Sequence, residues 1–266
     1  MVFIVSPAKK MTDACDVFAW RAMPRFLPQA CELLDALRAL PYDEAKALWK
    51  CSDVLASLNY ERVRASDPAC SAMCAPAVFA YEGIQYQHMA PQVMTEDQLD
   101  YLERHLRILS GFYGVLRPFD AVVPYRLEMQ AKLAVGGARD LYGFWGPRLF
   151  EALAEDAAHE AAASPLARPV IVNLASQEYA KAVLPHARAA AKAGGDVRVV
   201  TCLFGTVRDG ALVQRSTEAK AARGTFVRWC AEYAVEDVRE LEGFDEAGYA
   251  FDRGLSSDET LVFVRC

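Results

Sequence analysis

The 266-residue chain has no surplus of positive charge. Its 29 Lys and Arg face 35 Asp and Glu, a formal charge of −6. That excludes the continuous basic surface of a nucleic-acid packaging protein and confines any anion site to a local patch. No apolar run reaches membrane-spanning length, and the five apolar residues before Ser6-Pro7 are too few for the hydrophobic region of a signal peptide. The expectation is a cytoplasmic protein with no membrane partner. Walker and Gly-x-Gly-x-x-Gly fingerprints are missing, and no cofactor is expected. His88, His105, His159 and His186 are scattered and there is no Cys-x-x-Cys, so a metal site with four convergent ligands has no support in the sequence. Nothing resembles a Ser-His-Asp set. Eight cysteines would permit four disulfides, but in a cytosolic chain of this size most read as reduced, buried apolar residues, with Cys70 and Cys74 the one close pair. No repeat, low-complexity tract or linker marks a boundary, which predicts one mixed α+β domain over 1–266.

With 53% hydrophobic and 24% charged residues, a chain of this length buries roughly three quarters of its unfolded surface. Val2 to Val5 and 169–174 are continuous apolar runs, which predicts fully buried strands. Three helices are predicted at 26–40, 43–50 and 53–66, the first with Leu33, Leu34, Leu37 and Leu40 on one face and the second beginning after Pro41 with Asp43 as its cap. The segment 70–92 is ambiguous between strand and helix. Short strands are expected within 121–135 and a helix over 140–163. Asp209-Gly210 predicts a hairpin in 197–213, followed by an amphipathic helix over 216–234 and a closing strand at 261–264.

Residues 105–128 mix a basic helix end, glycines at 111 and 114, two prolines and an arginine beside an aromatic. Leu102, Leu106 and Leu109 recur at helical spacing, and Thr95 with Gln98 forms a capping box, so a helix is predicted over 96–109. Gly111 and Gly114 then suit a tight turn with positive φ, and a short second helix would start near Arg117-Pro118. Helix, glycine turn and helix start make a phosphate-binding hairpin in which Arg104, Arg107, Ser110, Gly111, Gly114 and Arg117 are the candidate contacts. An ordinary structural loop after a capped helix fits the same residues. The window 104–132 holds five basic residues (Arg104, Arg107, Arg117, Arg126, Lys132) and two acidic ones (Asp120, Glu128), a local +3 in an acidic protein.

Both buried strands end in polar residues. Ser6-Pro7-Ala8-Lys9 brings a hydroxyl and an ammonium to one strand end, and Asn173, Ser176, Glu178 and Lys181 follow the other, where open α/β sheets place ligands. Arg126 and Glu128 lie two apart and share a face if that segment is a strand. Lys220 and Arg223 add basic character on the later helix. Lys9, Arg126, Glu128, Asn173, Ser176, Lys220 and Arg223 are predicted to converge on one cleft, with Ser6, Glu178 and Lys181 as further candidates for it.

Colinear blocks give these motifs a family context. HLRILSGFYGVLRPFD with PYRLEM resembles the signature of the YaaA family (UPF0246) of bacterial peroxide stress resistance proteins. So do Ile4-Val5-Ser6-Pro7-Ala8-Lys9, Ser52-Asp53-x-Leu55-Ala56-x-Leu58-Asn59, Asp140-Leu141-Tyr142-x-Phe144-Trp145-Gly146, Asn173-Leu174-Ala175-Ser176-x-Glu178-Tyr179, Lys220-Ala221-Ala222-Arg223-Gly224 and Gly248-Tyr249-x-Phe251-Asp252. Gln130, where a glycine is expected, and Tyr81-Glu82-Gly83-Ile84-Gln85-Tyr86, which lacks a Gly-Asp, depart from the pattern. The resemblance implies an α+β fold of the family's own, a helix-hairpin-helix element, binding to double-stranded DNA without strong sequence preference, and a role in limiting peroxide- and iron-dependent damage. Two function classes follow. One is a DNA-binding stress protein; the other is an enzyme acting on a nucleotide or another small anionic ligand in the Lys/Arg/Glu-lined cleft.

Overall fold

In the computed structural model, which describes residues 1–12, 18–69, 74–162 and 168–265, one large sheet organises the chain. From edge to edge its strands are Tyr249–Phe251, Thr260–Arg265, Arg198–Arg208, Val170–Asn173, Val2–Val5, Leu106–Ser110 and Gly114–Leu116, with Ala211–Val213 paired to the far end of Arg198–Arg208. The five middle strands run parallel, and an antiparallel strand closes each edge. Val2–Val5 and Val170–Asn173 are apolar almost throughout because helices cover the sheet on both faces. The fold is therefore mixed, helices with one large sheet. After Val2–Val5 the chain rejoins the sheet on one side as Leu106–Ser110, while Val170–Asn173 pairs on the other. The carboxyl end of Val2–Val5 thus lies at a topological switch point, where parallel sheets leave a crevice.

The helices follow their apolar faces. Leu27–Ala39 buries Ala30, Leu33, Leu34 and Leu37, and it stops at Leu40, which is extended ahead of Pro41 as a residue before proline prefers. The next two helices are Tyr42–Trp49 and Asp53–Ala65. Asp43 lies inside the first turn, not at the cap, which Pro41 occupies, so it acts only on the helix dipole. Ser216–Glu232 packs on the short helix Ile84–Met89. Residues 74–92 resolve into the two-residue strands Ala75–Pro76 and Tyr81–Glu82 between short helical turns, while Cys70 lies outside the described residues. The predicted helix over 140–163 is broken by Gly146-Pro147 into Leu141–Trp145 and Arg148–Ala161, and its last position, Ala163, is outside the described residues. Of the predicted strands in 121–135, only Ala121–Val122 forms. Cys202 and Cys230 are buried, whereas Cys31, Cys51 and Cys74 are half-buried; Cys15 and Cys266 are outside the described residues.

The hairpin differs most from its expectation. The capping box is present, with the Gln98 amide donating to Thr95 Oγ1 at 3.4 Å and the Thr95 amide donating to Gln98 Oε1 at 2.9 Å. The helix it opens, Glu96–His105, ends four residues early. Leu106–Ser110 becomes a fully buried strand, because leucine spacing alone cannot separate a helix stripe from a strand buried on both faces. Gly114–Leu116 pairs back on it, and Arg117 to Asp120 is a turn, so no second helix follows. Gly114 has φ +76°. Gly111 is needed for a different reason: a Cβ there would strike the Leu127 carbonyl and lie 3.0 Å from the Glu128 carbonyl carbon.

Candidate functional site

The strand ends leave the sheet side by side. Ser176 donates its amide to Ser6 Oγ at 2.9 Å, and the Ser6 hydroxyl donates to Ser176 Oγ at 3.2 Å. Around this contact opens a cleft of about 840 Å³. Residues 6–10, the loop 125–128, the turn at 176–179, the helix Ile84–Met89 and the face of Ser216–Glu232 that carries Lys220 and Arg223 line it. Of the ten cleft residues predicted from sequence, Ser6, Lys9, Arg126, Glu128, Ser176, Glu178, Lys220 and Arg223 line this cleft. Asn173 and Lys181 do not. Asn173 is buried, donating to Thr201 Oγ1 at 3.3 Å and accepting the Ala175 amide at 3.0 Å, so it shapes the turn that presents Ser176. Lys181 lies over the Tyr142 ring, 4.7 Å from its centroid.

The charges fall into two groups. Glu128 is paired twice, with Lys9 Nζ at 3.2 Å and Arg126 Nη2 at 3.1 Å, and Arg126 Nη2 also donates to the Trp49 carbonyl at 3.5 Å. The segment is irregular and not a strand, yet the Arg–Glu pair forms. Glu178 accepts the Gln130 amide at 3.2 Å. Burial, assisted by the Glu128 charge, raises its carboxyl above the ordinary range, a shift that moves a group toward general-base work. Arg223 is different, since no carboxylate among the described residues pairs with it. Its Nε is buried without a hydrogen-bond partner, as are Arg126 Nε and Gln85 Nε2, and Gln85 is only 6% exposed. Burial lowers the Arg223 pKa, the sign of a cation deprived of water. Buried donors of this kind cost free energy until an acceptor reaches them.

Sequence reasoning missed Gln85, Tyr86 and Tyr179 as lining residues, although Tyr179 stands inside a family-like block and Gln85 and Tyr86 in the stretch that departs from the pattern. The usable signal was Gly224. A Cβ there would overlap the Gln85 carbonyl oxygen, so this glycine lets the helix that carries Arg223 touch the helix that carries Gln85. Below the cleft, Tyr125 hydroxyl bonds to Tyr81 (2.8 Å) and to Ser110 (2.6 Å), and Ser110 Oγ accepts the Phe112 and Tyr113 amides at 3.1 and 2.8 Å. Burial pushes Tyr125 up to about 12, which keeps the network protonated at neutral pH.

Those same bonds account for the predicted phosphate hairpin. The Phe112 and Tyr113 amides are spent on Ser110, and Ser110, Gly111 and Gly114 are all buried. Arg107 is buried too, bonded to Asp156 and to the carbonyls of Glu103 and Leu106. Arg104 and Arg117 remain half exposed, at 51% and 52% of their side chains, pairing with Glu236 and Asp156 at 3.2 and 3.8 Å. The concavity they border, about 610 Å³, is lined by four arginines (Arg25, Arg104, Arg107, Arg117) and five carboxylates (Glu103, Asp120, Glu155, Asp156, Glu160). It carries no positive surplus for a phosphate backbone. No helix among the described residues is long and apolar enough to cross a membrane.

Comparison with known proteins adds an independent line. The family described as "Peroxide stress protein YaaA" matches residues 1–255. Similar relatives include a "UPF0246 protein" of Pediococcus pentosaceus, 46% identical over 265 residues that span all of this chain and 98% of the relative. A "UPF0246 protein" of Lactiplantibacillus plantarum is 45% identical, covering 99% of each chain. A third, from Lachnoclostridium phytofermentans, is 41% identical over all of this chain and 96% of its own length.

Proposed function

The chain belongs to the peroxide stress protein YaaA family, and from that premise we propose that it serves peroxide resistance as an enzyme, through the cleft, binding a small anionic molecule and moving a proton on it. The observation that carries this reading is Arg223, a half-buried cation lining the cleft whose buried Nε has no hydrogen-bond acceptor and which has no carboxylate partner among the described residues. An anionic oxygen at Arg223, Lys220 and Gln85 would satisfy these donors, and the guanidinium fork suits carboxylate or phosphate. Glu178 is the base. Its carboxylate is held by a backbone amide and made more basic by burial, and it shares the cleft with the Lys9, Glu128 and Arg126 chain.

Survival in hydrogen peroxide of a bacterial strain lacking its own family member tests this. Arg223→Ala and Glu178→Gln, each checked for folding by circular dichroism, are expected to fail to restore resistance, while Arg117→Ala restores it. Rescue by Arg223→Ala would sink the proposal.

Binding to duplex DNA is the second reading, favoured by the exposure of Arg104 and Arg117. It predicts that Arg117→Ala lowers the slope of log affinity against log salt by about one unit. With five carboxylates beside four arginines, we expect that slope to stay unchanged when labelled duplex is titrated at low and moderate salt. A one-unit change would favour the DNA reading.

A further inference from the structure

The cleft holds unpaired charge of both signs, kept apart. Arg223 and Lys220 form no ion pair within 4 Å among the described residues, and neither does Glu178, whereas Lys9, Arg126 and Glu128 pair with one another. The charges acting most strongly on Glu178 are those of Glu128 and Lys9, and none from the Arg223 helix is among them. The group acting on Arg223 is Cys202, not a cleft carboxylate. Two poles result. The positive pole is Arg223 and Lys220, and Gln85, whose side-chain amide nitrogen is buried without a partner, lines the same cleft. The negative pole is Glu178, which has no ion pair of its own among the described residues; the neighbouring Glu128 is already held by Lys9 and Arg126.

From this arrangement, and resting on the cleft reading above, we infer that the small molecule is a zwitterion of the amino-acid class, its carboxylate on Arg223, Lys220 and Gln85 and its ammonium on Glu178. An ammonium at a desolvated carboxylate regains the solvation that burial removed, and the ligand's two charges match poles that the protein leaves unmatched. A simple dianion would satisfy the positive pole but set a second negative charge near Glu178. A cleft of about 840 Å³ takes ligands of drug size, so the amino acid carries a bulky side group or is joined to a second moiety. Glu178 then receives a proton from the ammonium, giving a neutral amine and a protonated carboxyl. That proton transfer is the step assigned to Glu178, and it balances without any further reactant.

Isothermal titration with matched pairs tests the inference: L-glutamate against glutarate, L-phenylalanine against 3-phenylpropionate, L-tryptophan against indole-3-propionate, and inorganic phosphate alone. At least one amino acid is expected to bind tenfold or more tighter than its amine-free partner. Arg223→Ala should abolish binding of both members of that pair, and Glu178→Gln should bring their ratio to within threefold of one. If every amine-free acid binds as well as its amino acid while Arg223→Ala still abolishes binding, the anion cleft stands and the zwitterion is wrong. If phosphate and all six organic probes leave wild type and Arg223→Ala alike without heat, both are wrong.

Discussion

Gly224→Ala is expected to cost about 3 kcal/mol or more of unfolding free energy, measured by urea denaturation, and to abolish ligand binding in whatever fraction still folds. Alanine is the better helix former by about 1 kcal/mol, so local propensity predicts a stabilised helix. Packing decides the other way. A Cβ at 224 would overlap the Gln85 carbonyl oxygen and stand 2.9 Å from the Met89 amide nitrogen, both backbone atoms of the neighbouring helix. Backbone cannot rotate aside as a side-chain tip can, and overpacking of a close-packed contact typically costs about 1–3 kcal/mol even when side chains absorb it. The two helices must separate or the short one must shift. Either movement carries Gln85 away from Arg223 and spoils the positive pole of the cleft. A variant within about 0.5 kcal/mol of wild type would mean that the helices do not touch at this point.

Different kinds of sequence signal had different fates. Strands buried on both faces were legible at Val2–Val5 and Val170–Asn173, because a short, uninterrupted apolar run ending in polar residues matches the interior of a covered parallel sheet. Their polar ends were legible as a site for the same reason, and Ser6 and Ser176 meet through a hydrogen bond across 170 positions. The hairpin was not legible. Leu102, Leu106 and Leu109 fit one helix stripe, yet only the first lies in Glu96–His105, and the other two sit in a central strand whose both faces demand apolar residues. Nor could spacing reveal what Gly111 does. Glycine spacing suggested an anion nest, but the cause at Gly111 is the approach of residues 127 and 128, a contact set by the tertiary fold. Asn173 illustrates the same limit from the other side: it stands in the right block, and its amide is spent on Thr201 and on the turn.

The other large effect lies at the exit of the hairpin. Asp120 is only 4% exposed, and its Oδ2 accepts the Arg117 amide at 2.8 Å, closing the turn that follows Gly114–Leu116. Burial raises its carboxyl to about 7 from an ordinary 3.8; the Arg117 amide is the largest of the opposing influences, Glu103 pushes the same way as burial, and Arg117 and Arg107 offset only part of the rise. The folded state therefore keeps a proton that the unfolded chain has already lost. Stability from this group is fully present below about pH 4 and is lost as pH rises through about 7. At 1.36 kcal/mol per pK unit the whole loss is on the order of 4 kcal/mol, with about 2–3 kcal/mol of it between pH 5 and pH 8. Asp120→Asn keeps an oxygen for the Arg117 amide and removes the titration. Its unfolding free energy relative to wild type should rise by about 2–3 kcal/mol between pH 5 and pH 8, and this difference cancels every titrating group the two proteins share. A pH-independent difference between them would place Asp120 in water and unmake the buried turn. If the rise appears, the segment around Arg117 is held by a desolvated carboxyl that loses stability as it ionises, which is how a structural corner behaves and not how a surface built to receive phosphates would.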